Sequence, residues 1–132
     1  MEIAATSCRV SLLAEHTWRD PSEVTRALAI LPSEQIIRGD CVEADIPAAT
    51  STWLCSSVTH IDDWEDTASQ LLHHLIHNKP GQLILQSFGW RFVIEFSIDA
   101  RTSPLIQFEC STNLVAMLHS LEIGVRVVVW GA

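Results

Sequence analysis

The sequence predicts an α+β fold in which a mainly antiparallel sheet of five to six strands carries three helices on one face. Three observations lead there. Several short segments alternate apolar and polar residues with the period of a strand. Others space their apolar residues at the period of an amphipathic helix. With 48% hydrophobic and 18% charged residues, a chain of 132 residues has the apolar content for one core and the length of a single domain, residues 1–132. Such a composition excludes a disordered tail, which could not offset its ordering entropy.

From the N-terminus, Cys8, Val10 and Leu12 alternate with Ser7, Arg9 and Ser11, predicting a half-buried strand over about 4–14. Asp20-Pro21-Ser22-Glu23 has the form of a helix start. Asp20 can cap free amides, Pro21 suits the first helical position, and Glu23 stands where a capping box wants an acid. Val24, Ala27, Leu28 and Leu31 form its apolar stripe, and Pro32 stops it. Residues 32–50 read as a loop with one helical turn near Ser33-Glu34. Thr52-Trp53-Leu54-Cys55 then mark a β-prone second strand over about 51–58.

The clearest helix spans about 62–78. Asp62 and Glu65 stand in capping-box spacing; Trp64, Ala68, Leu71, Leu72 and Leu75 make one apolar face, and Asp66, Gln70, His73 and His77 line the other. Lys79-Pro80-Gly81 ends it. Leu83-Ile84-Leu85 and Trp90–Ile98 read as the two strands of a hairpin, with Gly89 near the turn. Trp90, Phe92, Ile94, Phe96 and Ile98 share one face, the strongest alternation in the chain. Leu105 to Phe108 is a short fifth strand. Ser111 or Thr112 opens a helix with Leu114, Val115, Leu118 and Leu121 inward, and Gly124 closes it as a left-handed cap. The near-continuous apolar run from Val125 to Trp130 predicts a strand in a central or doubly covered position.

Charge narrows the function classes. Eight basic and 16 acidic residues give a net charge of −8. Seven arginines and Lys79 are spread from Arg9 to Arg126 without a basic patch, which disfavours nucleic acid and anionic membranes as partners. No apolar run approaches the ~20 residues of a membrane span, and Met1-Glu2-Ile3 lacks the start of a secretory signal. Cys8, Cys41, Cys55 and Cys110 show no close pairing and read as reduced thiols of a cytoplasmic protein. Between Gly39 and Asn78 there is no Lys or Arg, yet the stretch holds Asp40, Glu43, Asp45, Asp62, Asp63, Glu65 and Asp66. Setting these seven aside leaves nine acids against eight bases, so one segment supplies seven of the eight negative units. Carboxylates in a first helical turn favour the helix dipole, which accounts for the 62–66 group as ordinary helix chemistry. It does not account for Asp40, Glu43 and Asp45. If the two groups adjoin, they make one anionic face suited to a basic partner.

The order of elements, with D-P-S-E-V-T-R-A-L (Asp20 to Leu28), I-I-R-G-D (Ile36 to Asp40), S-T-W-L-C-S-S (Ser51 to Ser57) and a helix, glycine turn and apolar strand from Leu114 to Trp130, is similar to the bacterial domain-of-unknown-function family numbered 4279. Arg38-Gly39-Asp40 and Trp53 are the most pointed matches over about residues 5–131. The resemblance implies an immunity protein of the kind encoded beside polymorphic or secreted toxins. It brings no catalytic motif. Where such proteins usually carry Tyr in the final strand, this chain has Trp130.

Other chemistries are weaker. His73 and His77 stand one turn apart and can share an ion, with Asp66 or His60 as a third ligand, but no H-E-x-x-H glutamate accompanies them and no metal is expected. Cys55 and His60 are conceivable as a thiol–imidazole pair, although a strand cysteine is usually a small buried apolar group. Ser56-Ser57 lacks the context of a nucleophile elbow, and no glycine-rich phosphate loop exists. Trp64 fits the inward stripe of its helix, and Trp18, in a polar stretch, is the better candidate for an exposed aromatic.

The expectation is therefore a non-enzymatic, cytoplasmic immunity protein without cofactor. It would cover the basic active-site cleft of a toxin domain with an acidic surface built from Asp40, Glu43, Asp45, Asp62, Asp63, Glu65 and Asp66, with Trp53 as anchor. The alternative is a small-ligand-binding or regulatory module with a pocket between the sheet and the long helix.

Overall fold

In the computed structural model the described residues are 7–43, 46–99, 101 and 109–130. Strand β1 (Ser7–His16) organises the sheet. It pairs antiparallel along ten residues with β5 (Ser51–His60), from Ser7 opposite His60 to His16 opposite Ser51. On its other side it pairs antiparallel with β6 (Arg91–Asp99), Cys8 facing Ile98 and Glu15 facing Arg91. β2 (Glu34–Ile36) lies antiparallel on the outside of β5, and β7 (Gly124–Trp130) lies parallel to β6. The order is β2-β5-β1-β6-β7, a five-stranded mixed sheet. A second small ladder joins β3 (Cys41–Glu43) and β4 (Ile46–Pro47).

Four α-helices accompany the sheet among the described residues: α1 (Ser22–Leu28), α2 (Trp64–Ile76), α3 (Lys79–Ser87) and α4 (Thr112–Leu121). All four send side chains into one cluster: Val24 and Leu28 from α1, the stripe from Trp64 to Leu75 of α2, Leu85 from α3, and Leu114, Leu118 and Leu121 from α4. They meet Cys8, Val10, Leu12 and Ala14 of β1, Trp53 of β5, and Phe92, Ile94, Phe96 and Ile98 of β6. Period-two alternation thus selects the covered face of each strand, as the sequence predicts. Two buried indoles anchor α1, since Trp53 Nε1 donates to Thr25 Oγ1 at 3.1 Å and Trp90 Nε1 donates to the Glu23 carboxylate. Polar side chains at the start of α3 serve the end of α4. Lys79 Nζ donates to the Ser120 carbonyl at 3.2 Å and the buried Gln82 Nε2 to that of Leu121 at 2.7 Å.

Several expected details change. Leu83-Ile84-Leu85 is helical, not a hairpin strand, so the helices number four rather than three. A three-residue apolar run carries no period of its own. Here Pro80 opens a helix that buries Gly81, Gln82 and Leu85 and leaves Leu83 and Ile84 outside. Gly89, at φ +94°, then turns the chain into β6, a conformation that favours glycine. α1 ends at Leu28 on a left-handed Ala29, so Leu31 is exposed and not part of the stripe. Glu23 makes no capping box; it is held by Arg19 and Trp90, while Asp20 Oδ1 accepts the Ser22 amide at 2.9 Å. Neither does the Asp62–Glu65 pair, for Glu65 accepts from the Ser111 amide. Residues 34–36 form strand β2 rather than a helical turn. Glu122, at φ +56°, closes α4 in place of Gly124, which begins β7. The sheet is mixed because the connection after β6 crosses over through α4 and returns parallel. β7 is an edge strand, not a central one. The expected strand over 105–108 lies outside the described residues.

Gly81 sits where α3 presses on α1: a Cβ there would stand 2.4 Å from the Ala27 carbonyl oxygen. Replacing a helical glycine by alanine ordinarily stabilises by up to ~1 kcal/mol. Gly81→Ala is expected instead to destabilise by about 1–3 kcal/mol, the usual size of an overpacking cost. Ala29→Gly should act the other way, relieving a left-handed conformation that costs an L-residue roughly 1 kcal/mol. Urea denaturation of the two variants checks the opposed signs, and equal signs would refute the packing argument.

Candidate functional site

The ladder between β1 and β5 sets the two ends of the molecule apart. At one end, Arg38 N–H donates to Ser51 Oγ at 3.0 Å, tying the preceding turn to the first residue of β5. Asp40 belongs to that turn. Its Oδ2 accepts from the Ile37 amide at 3.1 Å, and its carbonyl accepts from the Ala48 amide at 2.8 Å. At the other end, β5 finishes at His60 and runs through the 3-10 turn Ile61–Asp63 into α2. Ten extended residues span about 30 Å. Asp40 and the acids of α2 therefore occupy opposite ends. The Glu43 side chain and Asp45 lie outside the described residues.

The start of α2 is the anionic pole. His60 Nδ1 accepts the Asp62 amide at 3.1 Å and stands 3.5 Å from the Asp62 carboxylate, which is 85% exposed. Asp63 and Asp66 are exposed and form no ion pair among the described residues. Glu65 is half-buried and turned inward, accepting the Ser111 amide at 2.6 Å beside the cap of α4. Trp53 is fully buried and spends its indole N–H on Thr25, so it is a core residue and not an anchor for a partner. Trp64 is buried too, edge-on to Phe96 at 4.5 Å. With Ala68, Leu71, Leu72 and Leu75, it packs α2 onto the sheet.

Elsewhere, Glu15, Glu23, Glu95 and Asp99 are matched with arginines, whereas the exposed Glu34, Glu109 and Glu122 form no ion pair among the described residues. Arg126 donates to Glu15 at 2.9 Å and to Glu95 at 3.4 Å, and Arg91 to Glu15 at 3.0 Å. Partial burial raises the Glu15 pKa, but the hydrogen bonds from Arg126 and Arg91 outweigh it and the net shift is downward. Arg19 holds Glu23 below the usual carboxylate range, and Arg101 does the same to Asp99.

A second surface forms at the far end. Trp18 is 62% exposed, as the sequence suggests, and Phe88 is 49% exposed. The Arg19 guanidinium lies over both, 5.2 Å from the Trp18 ring and 4.6 Å from that of Phe88, and Glu23 holds it in place. His16 Nε2 bonds the Phe88 carbonyl oxygen at 2.9 Å. Phe88 escapes the sequence reading because residues 83–85 pass for a strand. The usable signal is Pro80 followed by Ile84 and Phe88 four apart on one helix face.

The remaining candidates separate. Cys55 faces Leu12 on the covered side of the sheet, whereas His60, five residues on, falls on the opposite face. His73 and His77 have ring centroids 5.8 Å apart on a shallow pocket of about 350 Å³ that also touches Leu28, Ile30, His74 and Asn78. Among the described residues no third His, Cys, Asp or Glu completes a metal set. Burial raises the pKa of the Cys8 thiol, and partial burial with Glu65 raises that of the exposed Cys110; both effects disfavour thiolate. Among the described residues no helix is long and apolar enough to cross a membrane.

A family model described as a domain of unknown function, DUF4279, matches residues 6–131. No curated protein and no solved structure matches the chain.

The Glu15 and Glu23 carboxyls sit below their ordinary value of about 4.5 when folded. A carboxyl depressed on folding stabilises fully above its unfolded value, and that contribution is lost as pH falls through the folded one. Stability should therefore drop below about pH 5, and Glu23→Gln should lower the plateau and make the drop shallower. Urea midpoints across a pH series test this. An unchanged slope would show that the Arg19–Glu23 pair contributes nothing.

Proposed function

The chain belongs to the DUF4279 family, and we propose, from the chemistry of its own surface, that it is a non-catalytic protein-binding module acting as a cytoplasmic immunity protein. Its role is to neutralise a bacterial toxin domain by covering a basic cleft. The observation that carries this reading is the sorting of charge. Arg19, Arg91, Arg101 and Arg126 are bound to carboxylates of the chain's other regions. Asp62, Asp63 and Asp66 face solvent at the start of α2 with His60 as their only ion-pair neighbour among the described residues. Unmatched carboxylates at one pole attract a cationic surface from a distance and orient it. Val58, 67% exposed two residues before His60, offers apolar contact at the same end. The surface is narrower than the seven acids of the sequence: Glu65 supports α4, Asp40 stands at the other end, and Trp53 is inside.

The triple variant Asp62→Asn, Asp63→Asn, Asp66→Asn should slow association with the toxin domain about tenfold at low salt and flatten the salt dependence, with a small change in dissociation. Asp40→Asn should leave the association rate unchanged. Stopped-flow mixing over a range of ionic strength reads both. Equal effects of the triple variant and Asp40→Asn would refute a single anionic pole.

A further inference from the structure

Among the described residues β7 has no neighbour on its outer side. Val125, Val127 and Val129 stand in register with Ile94, Phe96 and Ile98, which are at most 1% exposed. These valines continue the covered face of the sheet past β6, yet they are 49%, 48% and 50% exposed. Val128, on the opposite face, is 37% exposed. A strand with a free backbone edge and apolar side chains on both faces is a template for pairing with another chain. Sheets usually guard such an edge with charge, proline, a bulge or brevity. The other edge follows that rule. β2 has three residues, carries Glu34, and lies between Pro32 and the turn that contains Gly39. β7 has seven residues, and its one charged side chain, Arg126, is drawn onto Glu15 and Glu95 of its own chain.

We propose that β7 is a self-association edge, where two copies of this chain join antiparallel about a two-fold axis through Val127. The occupant is a second copy because the strand is complementary to itself. With Val127 on the axis, Val125 of one copy stands opposite Val129 of the other, so the covered face becomes a continuous row of valines. On the opposite face Arg126 stands opposite Val128 of the second copy, so the two guanidinium groups do not meet. Charge is compatible with this arrangement. A chain of net charge −8 repels its own copy wherever the anionic poles approach. Val129, Ile98, Cys8 and the end of β5 lie at one end of the sheet. Antiparallel pairing at β7 sends the two α2 starts to opposite ends, each three strands from the junction. The poles are then more than about 30 Å apart, well past a Debye length of ~8 Å at physiological salt.

Sedimentation velocity from about 1 to 200 µM should show mass rising from 14.7 kDa toward twice that value. Amide hydrogen exchange should show residues 125–129 gaining protection over the same range. Val127→Lys sets two ammonium groups face to face on the axis and should abolish both effects, with circular dichroism and thermal midpoint reporting an intact fold. Glu34→Ala, on the other edge, should change neither. A mass constant at 14.7 kDa overturns the proposal. So does a dimer that survives Val127→Lys, which would use another surface. Protection, already present in the monomer, of those amides of 125–129 that point away from β6 also overturns it, since another part of the chain would then cover the edge.

Discussion

Burial of β1 between two long antiparallel neighbours is the constraint on which the rest of the structure depends. Val10, Leu12 and Ala14 have no solvent exposure, and ten residues of β5 and eight of β6 are registered against the strand. A register held over that length does not slip, because a one-residue shift would take Leu12 off the helix-covered face and set Ser11 among the core side chains. The same ladder acts as a ruler. It fixes the turn that contains Asp40 at one end and the start of α2 at the other, and so keeps Asp40 apart from Asp62, Asp63 and Asp66.

The helical layer is organised by what the sheet leaves unsatisfied. Two tryptophans on the covered face bring large apolar surfaces and one N–H each, and burial makes an unmet donor costly. α1 supplies both acceptors, Thr25 and Glu23. Glu23 then also fixes Arg19, and Arg19 lies between Trp18 and Phe88. One core requirement therefore reaches the surface through three side chains and leaves an ordered aromatic–cation cluster opposite the anionic pole.

Much of the fold was legible because its signals are periodic and long. The alternation of Trp90 to Ile98 and the stripe of Trp64, Ala68, Leu71, Leu72 and Leu75 both survive intact, since each repeats often enough to have one structural reading. The Ser111 cap of α4 is also found, its Oγ accepting the Leu114 amide at 3.2 Å. What failed was short or depended on a distant partner. Residues 83–85 have no period. Glu23 and Glu65 have cap spacing but are claimed by Trp90 and Ser111, far along the chain. Val125 to Val129 is apolar enough for a central strand, but strand order is a property of topology and local composition does not encode it. The candidate site was half legible for the same reason. The sequence identifies the acids, but only the path of β5 separates Asp40 from Asp62.

The central strand is also the earliest described segment, and its partners begin 35 residues or more after its end, at Ser51 and Arg91. A chain emerging from the ribosome therefore exposes β1 long before either neighbour exists. The β1–β6 ladder must close a loop of most of the chain, a slow step in which loop entropy is lost before contacts repay it. A strand made before its partners leaves apolar side chains such as Val10, Leu12 and Leu13 without their final neighbours, the condition in which an incomplete chain is prone to associate with others.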